Sequence, residues 1–344
     1  MNSNQKPKIA VNGFGRIGRI VFKLLVSKGY NVVAINDLAD KENLAYLLKH
    51  DSVYGNYEKQ VSTEKENLIV GNKKFKVFNE KDPSKLPWKK LGIDIVIESS
   101  GAFRSYKKSS KHLKAGAKKV IITAPAKDPD KTIVPGVNHN ELTKNDKIVS
   151  VASCTTNALS PVAKILEENF GIENAFMNTV HGYTASQNLV DGPKENKVRR
   201  GRAAALNIVP TTSGATNATS KAVPELEGKM NGLALRVPTP TGSIVDLTAQ
   251  MKTHTTTEKI NKTLKKASQK ELKGILEFSE EPLVSTDIVG NPHSSIVDGL
   301  STQVQGNLVK ILAWYDNEYG YCNRITDVLN SISKGGGKAR KSRS

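Results

Sequence analysis

The chain has 344 residues, of which 38% are hydrophobic and 24% charged, so it is long enough for two domains with full cores and typical of a globular protein. Its two cysteines, Cys154 and Cys322, exclude a disulfide framework and indicate a reducing compartment. No apolar run approaches the ~18 residues that span a bilayer, and the N-terminus lacks the apolar core of a signal peptide, so we expect a cytoplasmic protein.

The net charge of +18 comes from lysine pairs scattered through the body and from a basic C-terminal segment, residues 334–344. We predict that this segment is a disordered tail. Such a surface attracts anions, including phosphorylated metabolites and nucleic acids. Scattered pairs without interleaved aromatic residues are more typical of a solvated face than of a dedicated nucleic-acid site. Nucleic acid is therefore a secondary partner at most.

The N-terminal segment carries the pattern of a dinucleotide-binding unit. An apolar strand at Lys8–Asn12 runs directly into residues 13–18, with the sequence Gly-Phe-Gly-Arg-Ile-Gly. Apolar residues spaced three and four apart then predict a helix, and a second strand at Asn31–Asn36 ends at Asp37. A strand before the glycines, a helix after them and an acid closing the second strand form the context in which this pattern binds a dinucleotide.

Each glycine of the pattern has its own task. Gly13 makes the tight turn, Gly15 lets the backbone approach a pyrophosphate, and Gly18 lets the helix and strand pack closely. A carboxylate at Asp37 accepts a hydrogen bond from a ribose hydroxyl and repels a 2′-phosphate, which favours NAD. The alternative for Asp37 is an N-cap of the helix that begins near Asp40.

Strands and helices alternate through the rest of this half. We predict a hairpin around residues 71–72, strands at Ile93–Glu98, Val120–Thr123 and Ile148–Ala152, and a helix at Tyr106–Ala115. This alternation predicts an α/β domain with a doubly wound parallel sheet of the Rossmann type. Ligands of such sheets bind at the carboxyl ends of the strands, where the sequence has Asp37, Ser99–Gly101, Thr123 and Cys154.

The cysteine at the last of these strand ends is a candidate nucleophile. Cys154 lies in the polar segment 153–157, and we predict a helix after it at Val162–Asn169. The N–H groups of a helix N-terminus stabilise a thiolate, which favours a reactive cysteine, whereas the alternative is a buried structural thiol. The convergence of the strand ends brings Cys154 beside the nicotinamide of a bound dinucleotide and favours the reactive cysteine.

A nucleophilic thiol needs a base, and the chain has six histidines. None is spaced from another histidine or a cysteine as metal ligands are, so we predict no metal site. His181 follows a strand pattern and opens into a polar loop, which makes it the candidate base.

The second half of the chain favours an α+β domain with a mainly antiparallel sheet. The elements that we predict are strands at Leu233–Val237, Ser243–Lys252 and Val304–Trp314, a lysine-rich exposed helix at Thr257–Lys270, and a last helix at Ile325–Ile332.

Five motifs, in order along the chain, resemble those of the phosphorylating glyceraldehyde-3-phosphate dehydrogenases, the glycolytic type I family. They cover residues 12–19, 153–157, 181–191, 235–239 and 314–321, and the resemblance extends from about residue 8 to residue 332. The spacing between Cys154 and His181 is also that of the family.

The resemblance implies reversible oxidation of D-glyceraldehyde 3-phosphate, with NAD and inorganic phosphate, to 1,3-bisphosphoglycerate. It implies a thiohemiacetal and then a thioester on Cys154, with His181 as acid and base. It further implies a homotetramer. Residues 1–153 would form the dinucleotide-binding domain, 154–316 the catalytic and oligomerisation domain, and the helix at 317–333 would return to the first domain.

The same resemblance assigns the other site residues. Those that contact the cofactor are Gly13, Gly15, Arg16, Ile17, Gly18, Asp37, Lys81, Thr123 and Asn317, with Lys81 in place of a family arginine. Those that bind the substrate's phosphate are Thr184 and Arg236, with Arg200 serving the phosphates. Those of the inorganic-phosphate pocket are Ser153, Thr155, Ser213 and Gly214. Hydroxyls, N–H groups and arginines are the usual phosphate ligands.

Besides Lys81, the sequence departs from the family at three positions. Ala158 stands where many members carry a second cysteine, Ser186 where some bacterial members have an acid, and Asn217 where a lysine is common. The first change removes a disulfide partner one helical turn from Cys154 but no catalytic group.

Two alternatives accompany this interpretation. One is a related dehydrogenase that oxidises a longer sugar phosphate, such as erythrose 4-phosphate, and passes the acyl group to water; the complete set of phosphate residues argues against it. The other is a family member with an added nucleic-acid-binding role, suggested by the charge of +18 and the basic tail.

Overall fold

The computed structural model describes residues 6–333, and the predicted tail at 334–344 lies outside them. The chain divides into two compact units. Unit 1 contains the described residues 6–133, 139–152 and 322–333, and unit 2 contains residues 134–138 and 153–321. The predicted domain boundaries, after residue 153 and before residue 317, lie close to these.

The strands, in chain order, are β1 Lys8–Asn12, β2 Asn31–Asn36, β3 Val61–Glu64, β4 Asn67–Val70, β5 Lys73–Phe78, β6 Ile95–Glu98, β7 Lys119–Ile122, β8 Lys131–Thr132, β9 Ile148–Ser150, β10 Ile172–Gly182, β11 Val209–Thr212, β12 Met230–Val237, β13 Ser243–Met251, β14 Leu276–Ser279, β15 Ser295–Asp298, β16 Gln303–Gln305 and β17 Leu308–Tyr315. The helices are α1 Arg16–Ser27, α2 Lys41–Lys49, α3 Trp88–Leu91, α4 Tyr106–Lys114, α5 Cys154–Phe170, α6 Ala215–Ala222, α7 Thr257–Gln269 and α8 Tyr319–Ser333.

Unit 1 is built on a sheet with the strand order β3-β4-β5-β2-β1-β6-β7-β9-β8. All pairings from β5 to β8 are parallel, and only β3 and β4 join in antiparallel fashion. The central strands β1 and β6 are almost wholly buried, as expected for parallel strands with helices on both faces. The predicted Rossmann-type sheet is confirmed.

A buried carboxylate fastens the centre of this sheet. Glu98, at the end of β6, accepts from Asn12 Nδ2 at 2.5 Å, from Ser100 N at 2.9 Å and from His112 Nε2 at 2.9 Å. Trp88 Nε1 donates to the other ring nitrogen of His112 at 3.1 Å, so the hydrogen of His112 is on Nε2. These contacts hold the carboxyl ends of β1 and β6 together, where the glycine-rich turn begins.

Unit 2 contains a second sheet with the order β11-β12-β10-β13-β17-β15-β14, and β16 pairs with β17. Its pairings are antiparallel except β10 with β12 and β14 with β15. The predicted α+β unit with a mainly antiparallel sheet is confirmed.

Two sequence-based predictions of elements were wrong. The strand predicted at Val304–Trp314 is a hairpin, because Gly306 adopts a φ of 61° and reverses the chain between β16 and β17. The helix predicted from Val162 begins at Cys154 and contains Pro161. The polar residues after Cys154 and the proline have low helix propensities, so the sequence pattern does not predict the first two turns of this helix.

Across residues 6–333, the structure has no helix of the length and apolar character needed to cross a membrane.

Candidate active site

Cys154 is the first residue of α5. The Ser153 side chain caps the helix by accepting from Thr156 N at 3.0 Å. Ala152, just before the cap, has a φ of 53°, a left-handed conformation that is unfavourable for a residue with a Cβ. The thiol lies at the helix end where N–H groups have no intrahelical acceptor. This is the strand–thiol–helix arrangement that the sequence predicts, with the helix starting at the thiol itself.

His181 comes from the end of β10 and lies against the thiol. Its Nε2 is 3.4 Å from Cys154 Sγ, and the ring is 2% exposed. The structure therefore brings the two predicted catalytic side chains into hydrogen-bond contact.

Arg236 joins this pair through the register of the sheet. β10 and β12 are parallel neighbours in which His181 lies opposite Arg236. Arg236 Nη1 is 2.8 Å from His181 Nδ1 and 3.0 Å from Gly182 O. Its Nε is buried and has no hydrogen-bond partner among the residues the structure describes. A largely buried arginine that no carboxylate pairs is suited to bind an anion.

Burial and charge act together on the ionisation of the pair. Burial raises the pKa of the Cys154 thiol, while Arg236 and hydrogen bonds with Thr155 act in the opposite direction. Burial and the charge of Arg236 lower the pKa of His181 to about 3. The protein environment of the pair thus favours a neutral imidazole beside a protonated thiol.

Tyr315, which the sequence analysis named only within a motif, supports both partners. Its hydroxyl bonds Thr155 Oγ1 at 2.9 Å and Thr179 Oγ1 at 2.8 Å. Its ring packs edge-on against His181, with 5.9 Å between ring centroids and an interplanar angle of 79°. A buried tyrosine needs partners for its hydroxyl, and here those partners lie next to the nucleophile and on the strand of the base.

A second cluster forms around Arg200. Its Nε donates to Thr211 Oγ1 at 2.9 Å and its Nη1 to Ser186 Oγ at 3.3 Å. Ser186 Oγ in turn lies 2.8 Å from Thr184 Oγ1. The predicted phosphate residues Thr184 and Arg200 are thus linked through Ser186.

The remaining predicted phosphate residues lie at the N-termini of two packed helices. Gly214 is the N-cap of α6, is exposed, and has nothing within 4 Å of where a Cβ would lie, while Ser213 Oγ accepts from Ala215 N at 3.2 Å. α6 packs against α5, with Ser160 Oγ 3.0 Å from Thr219 Oγ1. The predicted pocket residues Ser153 and Thr155 lie at the N-terminus of α5, and their hydroxyls already bond Thr156 and Tyr315.

Asn317, the predicted ligand of the nicotinamide amide, has a fixed orientation. Its Oδ1 accepts from Ser243 Oγ at 2.7 Å and from Thr241 Oγ1 at 3.1 Å. Because two hydroxyls donate to the oxygen, the Nδ2 group is the one left to donate to a ligand. Ser243 Oγ also accepts from Gly182 N at 3.1 Å, which ties Asn317 to the strand of His181. Thr241 and Ser243 were not identified as site residues from the sequence, because no motif marks them.

In unit 1 the glycine-rich turn has the form that a pyrophosphate requires. Gly13 has a φ of 89°, and a Cβ there would lie 2.3 Å from Ser100 N. A Cβ at Gly18 would lie 2.0 Å from Gly13 O, whereas Gly15 faces open space. No side chain caps α1 and its first turn carries no acid, so its N-terminus suits an anion. The turn therefore fits a dinucleotide.

The other predicted cofactor residues surround the carboxyl ends of this sheet or follow its strands. Asp37 accepts from Phe14 N at 2.6 Å and from Ala39 N at 3.0 Å. It does not cap α2, because Asp40 does, so the N-cap alternative for Asp37 was wrong.

Arg16 and Ile17 begin α1, and the Arg16 guanidinium bonds Asp51 at 2.7 Å. Thr123 directly follows β7, and its N–H donates to Glu98 O at 3.0 Å. Lys81 is exposed in the loop after β5. Among the described residues, no group of three or more His, Cys, Asp or Glu side chains could hold a metal ion.

Comparison with known proteins places the chain in a family. Residues 7–106 match the family model described as "Glyceraldehyde 3-phosphate dehydrogenase, NAD binding domain", and residues 153–317 match its "C-terminal domain". The first match confirms the predicted cofactor, NAD.

Curated relatives match over nearly their full length. The glyceraldehyde-3-phosphate dehydrogenase of Borreliella burgdorferi is 54% identical over 95% of this chain and 100% of its own. Glyceraldehyde-3-phosphate dehydrogenase 1 of Bacillus subtilis and the enzyme of Geobacillus stearothermophilus are each 51% identical over 96% of this chain and 99% of their own. Both domains and the full length agree, so the chain belongs to the glyceraldehyde-3-phosphate dehydrogenase family.

Proposed function

We propose that this protein oxidises D-glyceraldehyde 3-phosphate with NAD and inorganic phosphate to give 1,3-bisphosphoglycerate, reversibly. The observation that carries the proposal is the contact of 3.4 Å between Cys154 Sγ and His181 Nε2 at a helix N-terminus, with Arg236 beside it. The family match and the named relatives support the same activity.

The residues that would hold NAD are Gly13, Gly15, Arg16, Ile17, Gly18, Asp37, Lys81, Thr123 and Asn317. Bound NAD would accept the hydride from the substrate. Asn317 Nδ2 would orient the nicotinamide amide, because hydroxyls of Thr241 and Ser243 occupy its oxygen. The uncapped N-terminus of α1 would bind the pyrophosphate.

Cys154 is the nucleophile in this proposal. Its sulfur attacks the aldehyde carbon to give a thiohemiacetal, and His181 takes the proton of the thiohemiacetal hydroxyl as the hydride leaves. The resulting thioester on Cys154 retains the energy of the oxidation. Inorganic phosphate then attacks the thioester carbon, Cys154 leaves, and an acyl phosphate forms.

Two groups of side chains serve the two phosphates. Arg236 and Thr184 bind the phosphate of the substrate, with Arg200 held nearby by Thr211 and Ser186. Ser153, Thr155, Ser213 and Gly214 bind the attacking phosphate at the N-termini of α5 and α6. Arginines and a hydroxyl suit an anion in the first group, and helix N-termini with hydroxyls suit one in the second.

Initial rates with NAD and with NADP, each with and without inorganic phosphate, test the proposal. We expect NADH formation that requires phosphate and prefers NAD. A rate that is independent of phosphate would instead favour transfer of the acyl group to water, as in the erythrose 4-phosphate alternative.

Substitution of the nucleophile provides the second test. Cys154→Ser should abolish turnover while NAD still binds, whereas Cys322→Ser, at the other cysteine, should retain turnover. Full activity of Cys154→Ser would refute the mechanism.

We also propose that the chain forms a homotetramer in the cytoplasm. Exposed apolar side chains between β10 and β11 support an association surface: Leu189, Val190, Val198, Leu206 and Ile208. Sedimentation equilibrium measures the assembly directly, and a monomer at micromolar concentration would contradict it.

A further inference from the structure

A row of buried amide and carboxylate side chains crosses the carboxyl ends of three neighbouring strands of unit 1. The register of the sheet places Asn12, the last residue of β1, opposite both Asn36 of β2 and Glu98 of β6. Asn12 Nδ2 donates to Glu98 Oε2 at 2.5 Å, and Asn36 Nδ2 donates to Asn12 Oδ1 at 2.7 Å. Each of the three residues is at most 4% exposed. The row is therefore a continuous chain of hydrogen bonds that is shielded from solvent.

One end of the row grips the segment that follows β5. Asn36 Oδ1 accepts from Glu80 N at 2.9 Å, and Asn36 Nδ2 also donates to Glu80 O at 3.0 Å. A single amide thus holds both backbone groups of Glu80, the residue before Lys81. A reversed amide would turn its hydrogens toward Glu80 N–H and its oxygen toward Glu80 O. The grip therefore depends on the orientation of the Asn36 amide.

Glu98 sets that orientation from the other end of the row. A carboxylate only accepts hydrogen bonds, so Asn12 turns its NH2 group toward Glu98 and its oxygen toward Asn36. The second donor to Glu98 Oε2 is His112 Nε2, at 2.9 Å. The other oxygen, Oε1, accepts from Ser100 N at 2.9 Å and from Ser100 Oγ at 2.5 Å. Both oxygens of Glu98 are therefore engaged with two donors each.

The backbone groups that this row fixes adjoin the proposed cofactor residues. The pairs that are consecutive in the chain are Asn12 with Gly13, Asn36 with Asp37, and Glu80 with Lys81. After Glu98, the segment of Ser99 and Ser100 packs against the glycine-rich turn. Ser99 Oγ donates to Gly13 O at 3.1 Å, and Ser100 N is the atom that a Cβ at Gly13 would meet at 2.3 Å. The row thus reaches the backbone on several sides of the proposed NAD site.

We propose that Glu98 is a positioning residue for NAD binding. Through Asn12 and Asn36 it holds the segment of Glu80 and Lys81, and through Ser100 it holds the segment beside Gly13. This inference rests on the proposed function and adds a role for a side chain that was not assigned to the cofactor. All of these bonds join protein groups, so they arrange the binding segments in advance and reduce the entropy lost when the cofactor binds.

Glu98→Gln tests the need for two accepting oxygens. A glutamine keeps the size of the side chain but replaces one oxygen by an NH2 group. At the Oε2 position this group would face Asn12 Nδ2 and His112 Nε2. His112 cannot give way, because Trp88 Nε1 donates to its Nδ1 at 3.1 Å and leaves the ring hydrogen on Nε2. At the Oε1 position the NH2 group would face Ser100 N. Either orientation thus breaks a contact beside the proposed cofactor residues.

The experiment is calorimetric titration of the full-length protein, freed of nucleotide, with NAD and with ADP-ribose. ADP-ribose keeps the adenine, both riboses and the pyrophosphate but lacks the nicotinamide. We expect Glu98→Gln to raise both dissociation constants by about tenfold, the effect of losing roughly one hydrogen bond. The two factors should be equal, because the nicotinamide contact proposed for Asn317 lies outside the row. Unchanged constants, or a loss for NAD alone, would overturn the proposal.

Asn36→Leu tests the row from its other end. The variant removes both bonds to Glu80 and the bond to Asn12, and it adds no charge that could itself repel a pyrophosphate. We expect weaker binding of NAD and of ADP-ribose by a similar factor. Unchanged binding in this variant would contradict the role of the row, and it decides alone if Glu98→Gln does not fold.

Asp298→Asn is the matched control. Asp298 is a carboxylate of unit 2 that is 7% exposed and accepts from Ser301 N at 3.0 Å and from Trp314 Nε1 at 3.2 Å. Both isosteric variants should lower the urea midpoint, because each loses a buried acceptor. Only Glu98→Gln should weaken NAD binding. An equal loss of affinity in Asp298→Asn would show general loosening of the protein and would refute a specific role of Glu98.

Initial rates separate this inference from the proposed function. In Glu98→Gln the KM for NAD should rise with the dissociation constant, whereas kcat at saturating NAD should be unchanged. A lower kcat with an unchanged KM would refute the positioning role. Absence of NADH formation from D-glyceraldehyde 3-phosphate by the unmodified protein would refute the proposed function, while the binding constants would still test Glu98.

Discussion

Hydroxyl groups fix several side chains of the site at the scale of single atoms. Two hydroxyls settle the amide orientation of Asn317, and the Tyr315 hydroxyl bridges Thr155 and Thr179. None of these hydroxyls would react itself, but each limits the geometry of a neighbour that would. A buried polar group that loses its hydrogen-bond partner lowers the free energy of unfolding.

Tyr315→Phe tests this positioning. The variant keeps the ring against His181 but leaves the buried hydroxyls of Thr155 and Thr179 without their shared partner. We expect a loss of about 1–2 kcal/mol in the free energy of unfolding. A similar loss in the positioning of the pair corresponds to roughly a tenfold lower kcat. Urea unfolding and initial rates measure both. Tyr46→Phe, at a tyrosine that is 63% exposed, is the control.

His181 links stability to pH. Its folded-state pKa of about 3 is below the ordinary value of 6.5, so below pH 6.5 the unfolded chain binds a proton that the folded chain does not. Stability from this group is therefore complete above pH 6.5 and declines as the pH falls toward 3, by about 1.4 kcal/mol per pH unit.

The urea midpoint of the unmodified protein should thus fall more steeply between pH 6 and pH 4 than that of His181→Asn. His254→Asn removes an exposed imidazole and serves as the matched control. Parallel curves for the protein and His181→Asn would show that the ring is already protonated when folded.

At the scale of elements, the first turn of α5 combines a structural and a chemical task. Ser153 caps the helix, and the same helix end presents Cys154. A helix elsewhere in unit 2, α7, has a comparable cap in Thr256, which accepts from Lys259 N at 3.3 Å. The Ser153 cap adjoins the thiol of Cys154, whereas the Thr256 cap does not.

Ser153→Ala and Thr256→Ala separate these tasks. Each should lower the free energy of unfolding by about 1 kcal/mol, because each removes one cap. Only Ser153→Ala should also lower turnover, since only that cap adjoins the thiol and belongs to the proposed phosphate pocket. Equal kcat and KM in the two variants would leave Ser153 with a capping role alone.

The elements also show what could be predicted from the sequence. β1 and β2 have the bounds that their apolar runs predict, because turn residues and glycines delimit them. The start of α5 was missed because its first turns contain poor helix formers and a proline. The contact of Arg236 with His181 could not be predicted from the residues alone, since it depends on the register of strands whose residues are 55 positions apart.

At the scale of the whole chain, the protein has two cysteines. Cys154 is the only cysteine of unit 2, and Ala158, one turn along α5, is fully buried where a resolving thiol could lie. Oxidation of Cys154 therefore has no local partner in its own helix.

Peroxide should take Cys154 to a sulfenic acid that only an added thiol, such as glutathione, restores. Mass spectrometry should detect one added oxygen on the peptide of Cys154, together with loss of turnover. Ala158→Cys, which supplies a neighbouring thiol, should give an intrachain disulfide instead. A crosslink between Cys154 and Cys322 in the unmodified protein would contradict the prediction.

The parallel pairing of β10 with β12 limits where residues can be inserted or deleted in the chain. Side chains alternate between the two faces of a strand, so one inserted residue in either strand would turn Arg236 away from His181. We therefore expect insertions and deletions among relatives to avoid both strands, which keep their length.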